Sequence, residues 1–202
     1  MSVPLSSDVA FTPAVKAIQS ALGSRRQYQR MERAGGWNNE VTPELEAFLA
    51  ELDMFYLGTA TAAGQPYIQY RGGPRGLLKA IDAHTLAFAD FDGNRQYISY
   101  GNLSENSRVF LFLMDYANRR RIKVWGTARV VADDPALLAR LHDPSYPAQP
   151  QRALVITVEA WDVNCPQHIH PRILESEVEA LVEPLQARIA ALEAQLAARG
   201  GA

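Results

Sequence analysis

The chain has 202 residues, 48% hydrophobic and 21% charged, which excludes a disordered or fibrous protein and suits one sizeable domain with additions. A formal net charge of −2 excludes a global pull toward nucleic acid or anionic lipid, so basic clusters are weighed one at a time. The single cysteine, Cys165, excludes an intrachain disulfide and a cysteine-based zinc site.

The N-terminal MSVPLSSDVAFTP is polar, and no apolar run approaches the ~20 residues of a membrane helix. A soluble, cytoplasmic chain without membrane or nucleic-acid partners is the expectation. Residues 13–33 carry apolar groups at Val15, Ile18 and Leu22 and read as one or two short helices, interrupted near Gly23 and Ser24. Residues 42–52, TPELEAFLAEL, read as a helix with Thr42 at the N-cap and Pro43 in the first turn. Its buried stripe is Leu45, Phe48, Leu49 and Leu52.

From Phe55 the hydrophobic period changes. FYLGTAT, GQPYIQYR, TLAFADF, RVFLFLMDY, RRIKVWGTARVV and ALVITVEAWDV read as six strands, rich in β-branched and aromatic residues and bounded by Gly, Asp and Asn. A hairpin turn is predicted at 62–65. Short helices are predicted near 95–105 and at 133–143, the latter with Asp134 as its cap. Six closely spaced strands with few helices predict a mainly β fold, a six-stranded antiparallel, Greek-key-like β-barrel with flanking helices. The C-terminal ILESEVEALVEPLQARIAALEAQLAARGGA reads as a long amphipathic helix that Pro184 should kink or break. Its apolar stripe suits either packing on the barrel or a short coiled-coil arm meeting a second subunit. The expected organisation is an N-terminal helical extension over 1–40, the barrel over 41–171 and the C-terminal helix over 172–202.

Four stretches carry groups with chemistry. In FADFDGNRQYIS, residues 88–99, an apolar run ends in a Gly-containing turn, and Arg95 follows between the amides Asn94 and Gln96. Free N–H groups at a helix start, with a guanidinium fork, suit a terminal phosphate. The same residues also suit a plain helix cap with Arg95 in solvent. In GQPYIQYRGGPRG, strand alternation projects Gln69 and Arg71 together with Tyr70 opposite, toward either a heteroaromatic ligand or solvent. Arg119, Arg120 and Arg121 run straight into a strand and read as a solvated turn or an anion contact across an interface. Cys165, His168 and His170 lack a further ligand at metal-binding spacing. Only three of the 20 basic residues are lysines, and arginine is the residue whose planar fork grips phosphate. Signatures of the common hydrolases, metalloproteases, P-loop proteins and Rossmann folds are missing.

Taken in order, FYLGTATAAGQPYIQYRGGPRG, LAFADFDGNRQYIS, NLSENSRVFLFLMDY, RRRIKVWGTARVV and AWDVNCPQHI resemble the pyridoxamine 5'-phosphate oxidase-like flavoproteins, and within them the predicted flavin-nucleotide-binding branch. The resemblance covers most of residues 8–172. It implies an FMN-binding split barrel, a homodimer with FMN at its interface, and oxidoreductase chemistry on a small molecule. The other reading is a flavin- or deazaflavin-binding protein or sensor without turnover. By resemblance, Gln69, Tyr70 and Arg71 contact the ring and phosphate, Asp90 lies near the flavin, and Asn94, Arg95 and Gln96 replace the oxidase's phosphate-binding S-R-K turn. Arg120 and Arg121 match a strand that reaches the flavin from the second subunit, and Arg172 is the loosest match. No catalytic side chain is implied. Gln69 stands where the oxidase has an arginine, and Gly72-Gly73-Pro74 replaces its substrate lysine.

Overall fold

The computed structural model describes residues 5–200, which form two compact units. The first comprises residues up to Asp115 together with Arg121–Cys165. A single 3-10 turn at Ser6–Val9 precedes helices α1 (Pro13–Ala21), α2 (Arg25–Arg33) and α3 (Pro43–Ala50), followed by strands β1 (Met54–Ala60), β2 (Pro66–Gly72), β3 (Leu78–Asp82) and β4 (Thr85–Phe91). Helix α4 (Ile98–Glu105) leads to β5 (Arg108–Asp115) and β6 (Arg120–Val131), and α5 (Pro135–Leu141) leads to β7 (Pro150–Asn164). The second unit comprises Tyr116–Arg120 and the chain from Pro166, including α6 (Glu175–Gly200).

Three helices start alike. Thr12, Thr42 and Asp134 each accept a hydrogen bond from the backbone N–H three residues on, and a proline follows each cap. The side chain satisfies one orphan donor, while proline presets the helical φ and has no N–H to leave orphaned. Residues 13–33 are two helices, parted at Gly23, whose φ of 81° ends the first. Helix α6 continues through Pro184 without the break that was one of the two expectations.

The strands form one antiparallel sheet in the order β2-β1-β5-β6-β7-β4-β3, a split barrel. Among the described residues there are seven strands rather than the six expected. The addition, β3, is a five-residue edge strand, LKAID, paired only with β4. It is short and carries Lys79 and Asp82, which blunt an exposed edge and also mask the apolar pattern. The barrel core holds Phe55, Leu57, Phe88, Leu111, Leu113, Val124, Leu154 and Ile156, with α3 contributing Leu45, Phe48 and Leu49. Beyond β4 and β7, α5 covers a smaller cluster of Ala87, Ala89, Ala153 and Val155. Residues 153–156 are therefore buried on both faces and read as a continuous apolar run.

The N-terminal extension is fastened by aromatic contacts. Trp37 stacks on Trp125 of β6 at 4.7 Å between centroids, and Phe11 meets Trp37 at a tilt, 4.9 Å between centroids. Lys123 lies 5.2 Å from the Trp37 ring centre. Trp161 donates its indole N–H to the Glu40 carbonyl at 2.7 Å and its backbone N–H to Asn38.

Candidate functional site

A cleft of about 200 Å³ opens where the edge strand β2 faces the end of β4 and the loop into α4. The alternation of β2 decides what it contributes. Tyr67, Gln69 and Arg71 share the half-buried face and line the cleft, whereas Pro66, Ile68 and Tyr70 project outward. Ile68 is 68% and Tyr70 59% exposed. Asp90 enters from β4, Gln151 and Arg152 from β7, and the Asp92–Gln96 loop forms the rim.

The floor is a polar network. Asp90 is 7% exposed and its charge is fully engaged. One carboxylate oxygen pairs with the Arg71 guanidinium and the other accepts from the Tyr100 hydroxyl. Arg71 also lies over Phe88, 5.4 Å from the ring centre, and its buried Nε has no hydrogen-bond partner. Burial first, and then the hydrogen bond to Asp90, push the Tyr100 phenol well above its ordinary value. The face of Tyr100 carries the Arg152 guanidinium at 4.8 Å, and Tyr97 lies on that same guanidinium at 5.6 Å. Gln69 accepts a hydrogen bond from Ser99 at 2.7 Å, which leaves its amide N–H groups as donors.

The rim is conformationally unusual. Arg95 and Tyr97 have φ of 56° and 53°, in the left-handed region that costs a residue with a side chain about 1–3 kcal/mol. Asn94 does not cap α4. Its side-chain oxygen accepts from the Gln96 N–H at 3.2 Å, closing a turn within the loop. Tyr97 occupies the N-cap position without a side-chain cap, so the first N–H groups of α4 have no oxygen from it. Arg95 forms a fork with Asp92 through bonds of 3.1 and 2.7 Å. That contact holds the exposed Asp92 carboxyl below the usual carboxylate range.

Six of the ten residues singled out in the sequence therefore meet here: Gln69, Arg71, Asp90, Asn94, Arg95 and Gln96. Tyr70 is on the opposite face of β2, edge-on to Tyr56 at 6.1 Å. Arg121 pairs in register with Asn164 and keeps a buried Nε without a hydrogen-bond partner. Arg120 and Arg172 belong to the second unit, where Arg172 lies over the Tyr116 ring at 4.6 Å. Tyr67, Ser99, Tyr100, Gln151 and Arg152 were missed. Tyr67 was within reach, since it shares parity with Gln69 and Arg71. Arg152 was not, because only the β4–β7 register sets it opposite Asp90. Among the described residues, no cluster of three or more His, Cys, Asp or Glu could hold a metal ion, and no helix is long and apolar enough to cross a membrane.

No curated protein matches the chain. Solved structures similar to it include an FMN-binding protein from Syntrophomonas wolfei, 14% identical over 74% of this chain and 97% of that one, with a TM-score of 0.49. A protein related to general stress protein 26, from Clostridium acetobutylicum, is 18% identical over 60% of this chain and 85% of that one, with a TM-score of 0.45. HutZ, the heme storage protein from Vibrio cholerae, is 16% identical over 61% of this chain and 94% of that one, with a TM-score of 0.42. The family model for pyridoxamine 5'-phosphate oxidase matches residues 41–165, which take in the whole sheet and the whole cleft. The chain belongs to the pyridoxamine 5'-phosphate oxidase family.

Proposed function

We propose that this protein is an FMN-binding oxidoreductase acting on a small molecule, with the phosphate end of FMN in the cleft between β2 and the Asp92–Gln96 loop. The observation that carries the reading is one shared cleft lined by three arginines, Arg71, Arg95 and Arg152, together with the uncapped start of α4 and a buried guanidinium N–H, Nε of Arg71, with no hydrogen-bond partner. Such a set is matched by an anion with several acceptor oxygens. Asp92 stands in for that anion on Arg95, and a phosphate would take its place. Gln69 supplies amide donors suited to the edge of a heteroaromatic ring.

The cleft of about 200 Å³ is smaller than the roughly 300–1,000 Å³ of sites that enclose a drug-sized ligand. A second copy completes it in this reading. The outward face of the sheet supports such a homodimer: Ile68, Phe110 and Trp125 line a largely apolar depression, and Tyr70 stands exposed beside it. Arg120, Arg121 and Arg172 are assigned to the ring or its tail across that interface. When bound, FMN supplies hydride transfer. The side chains bind and orient it, and the Arg71–Asp90–Tyr100 network keeps Arg71 fixed at the cleft wall. A flavin-binding protein without turnover is the second reading, favoured by Gly72-Gly73 after Arg71 where the oxidase carries a substrate lysine.

Titration of the purified protein with FMN and with riboflavin tests the proposal. FMN is expected to bind at least tenfold more tightly, and Arg95→Ala to erase most of that preference, as loss of a charged hydrogen bond of about 1.5–3 kcal/mol requires. Failure to bind either flavin refutes the reading. Reduction of the bound flavin by a nicotinamide donor, followed by turnover, separates enzyme from binding protein.

A further inference from the structure

Helix α6 displays an apolar seam in solvent. Val178, Val182, Leu185, Ile189, Leu192 and Leu196 follow one another at steps of four and three, and all are exposed, Leu185 at 64% and Leu196 at 69%. This is an uninterrupted heptad pattern about 27 Å long at 1.5 Å per residue. Val182, Ile189 and Leu196 take the a positions, and Val178, Leu185 and Leu192 the d positions. Two of the three a residues, Val182 and Ile189, are β-branched and two of the three d residues, Leu185 and Leu192, are leucine, the combination that favours two parallel strands, while Leu196 and Val178 at the ends depart from it.

The flanking charges select the same arrangement. Arg188 falls at g and Glu193 at the following e. Five residues apart, they do not face one another on a single helix. In a parallel pair, Arg188 of each copy meets Glu193 of the other. An antiparallel pair would set Arg188 against its own counterpart and Glu179 against Glu193. Pro184 falls at c, on the outer face, so its ring and missing N–H stay away from the seam.

We propose that α6 pairs in parallel and in register with α6 of a second copy. Fewer than three heptads make a marginal coiled coil alone. The pairing therefore draws on the high effective concentration in an existing dimer, and to that extent rests on the dimer proposed above.

Cross-linking of the full chain in a Cys165→Ala background tests it. Under mild oxidation, Leu192→Cys is expected to form mostly disulfide-linked dimer, and Ala194→Cys, on the outer face, severalfold less. Arg188→Glu added to Leu192→Cys lowers the yield severalfold, and Glu193→Arg added to both restores it. Equal yields from Leu192→Cys and Ala194→Cys overturn the pairing. So does linkage that appears only when Val182→Cys and Leu192→Cys chains are mixed, which reports either antiparallel helices, where these two positions lie opposite each other, or parallel helices about 15 Å out of register. FMN titration of the same samples keeps the two ideas apart: strong cross-linking without flavin binding sinks the functional reading and leaves the helix pair standing.

Discussion

Tyr100 joins the two sides of the candidate site: its hydroxyl donates to Asp90, the partner of Arg71, and its ring supports Arg152. Tyr100→Phe removes one hydrogen bond to a charged group and is expected to cost about 1–3 kcal/mol at neutral pH. The phenol is raised in the folded state above its ordinary value near 10, by burial first and then by Asp90. Its contribution is therefore intact below about pH 10 and is lost as pH rises through the folded-state value. Denaturation midpoints of the two proteins should differ clearly at pH 8 and converge in strong alkali; a gap that is constant with pH would contradict the network. Single residues were readable in the sequence where local rules place them. Strand parity paired Gln69 with Arg71 and sent Tyr70 away. The same parity did not reveal Tyr100 or Arg152, whose roles depend on tertiary register.

At the scale of elements, the helix starts were the most transparent signals, since a capping oxygen followed by proline acts within one turn of chain. Strand β3 was the least, because a five-residue edge strand with charges has too little pattern to distinguish it from a loop. The continuity of α6 shows the limit of reading proline as a helix breaker, since one missing N–H in a 26-residue helix leaves the rest of the ladder able to form. Gly126 in β6 lies beside a β-bulge: Trp125 pairs with Ala160, and Gly126 with Val158. A Cβ there would meet the Thr157 carbonyl oxygen at 2.1 Å, and backbone cannot yield as a side chain can. Gly126→Ala should therefore destabilise the fold by about 3 kcal/mol or more, measurable by urea denaturation, whereas Gly93→Ala, with open space around its Cβ, should change stability by less than about 1 kcal/mol.

For the molecule as a whole, the mainly β architecture followed from six dense apolar segments, and the family from motifs spread over most of them. What the linear pattern withheld was closure. Strands β2 and β3 end the sheet, so the ladder of backbone hydrogen bonds does not run full circle. Across that gap near the cleft, the Arg71–Asp90 ion pair links β2 to β4. If FMN binds as proposed, saturating ligand at 100 times its dissociation constant should raise stability by about 2.7 kcal/mol. A thermal midpoint unmoved by saturating FMN would contradict binding to the native state.

An open ladder has a mechanical corollary. Edge amides of β2 lack strand neighbours on one side and rely on side-chain bonds such as Arg71–Asp90 and Gln69–Ser99 to stay in place. A guest lodged between β2 and the α4 loop would act as a clasp across the slit. Deuterium uptake at Tyr67–Arg71 should then slow more on loading than uptake at β1 or β7, so that the breathing of one sheet margin reports occupancy.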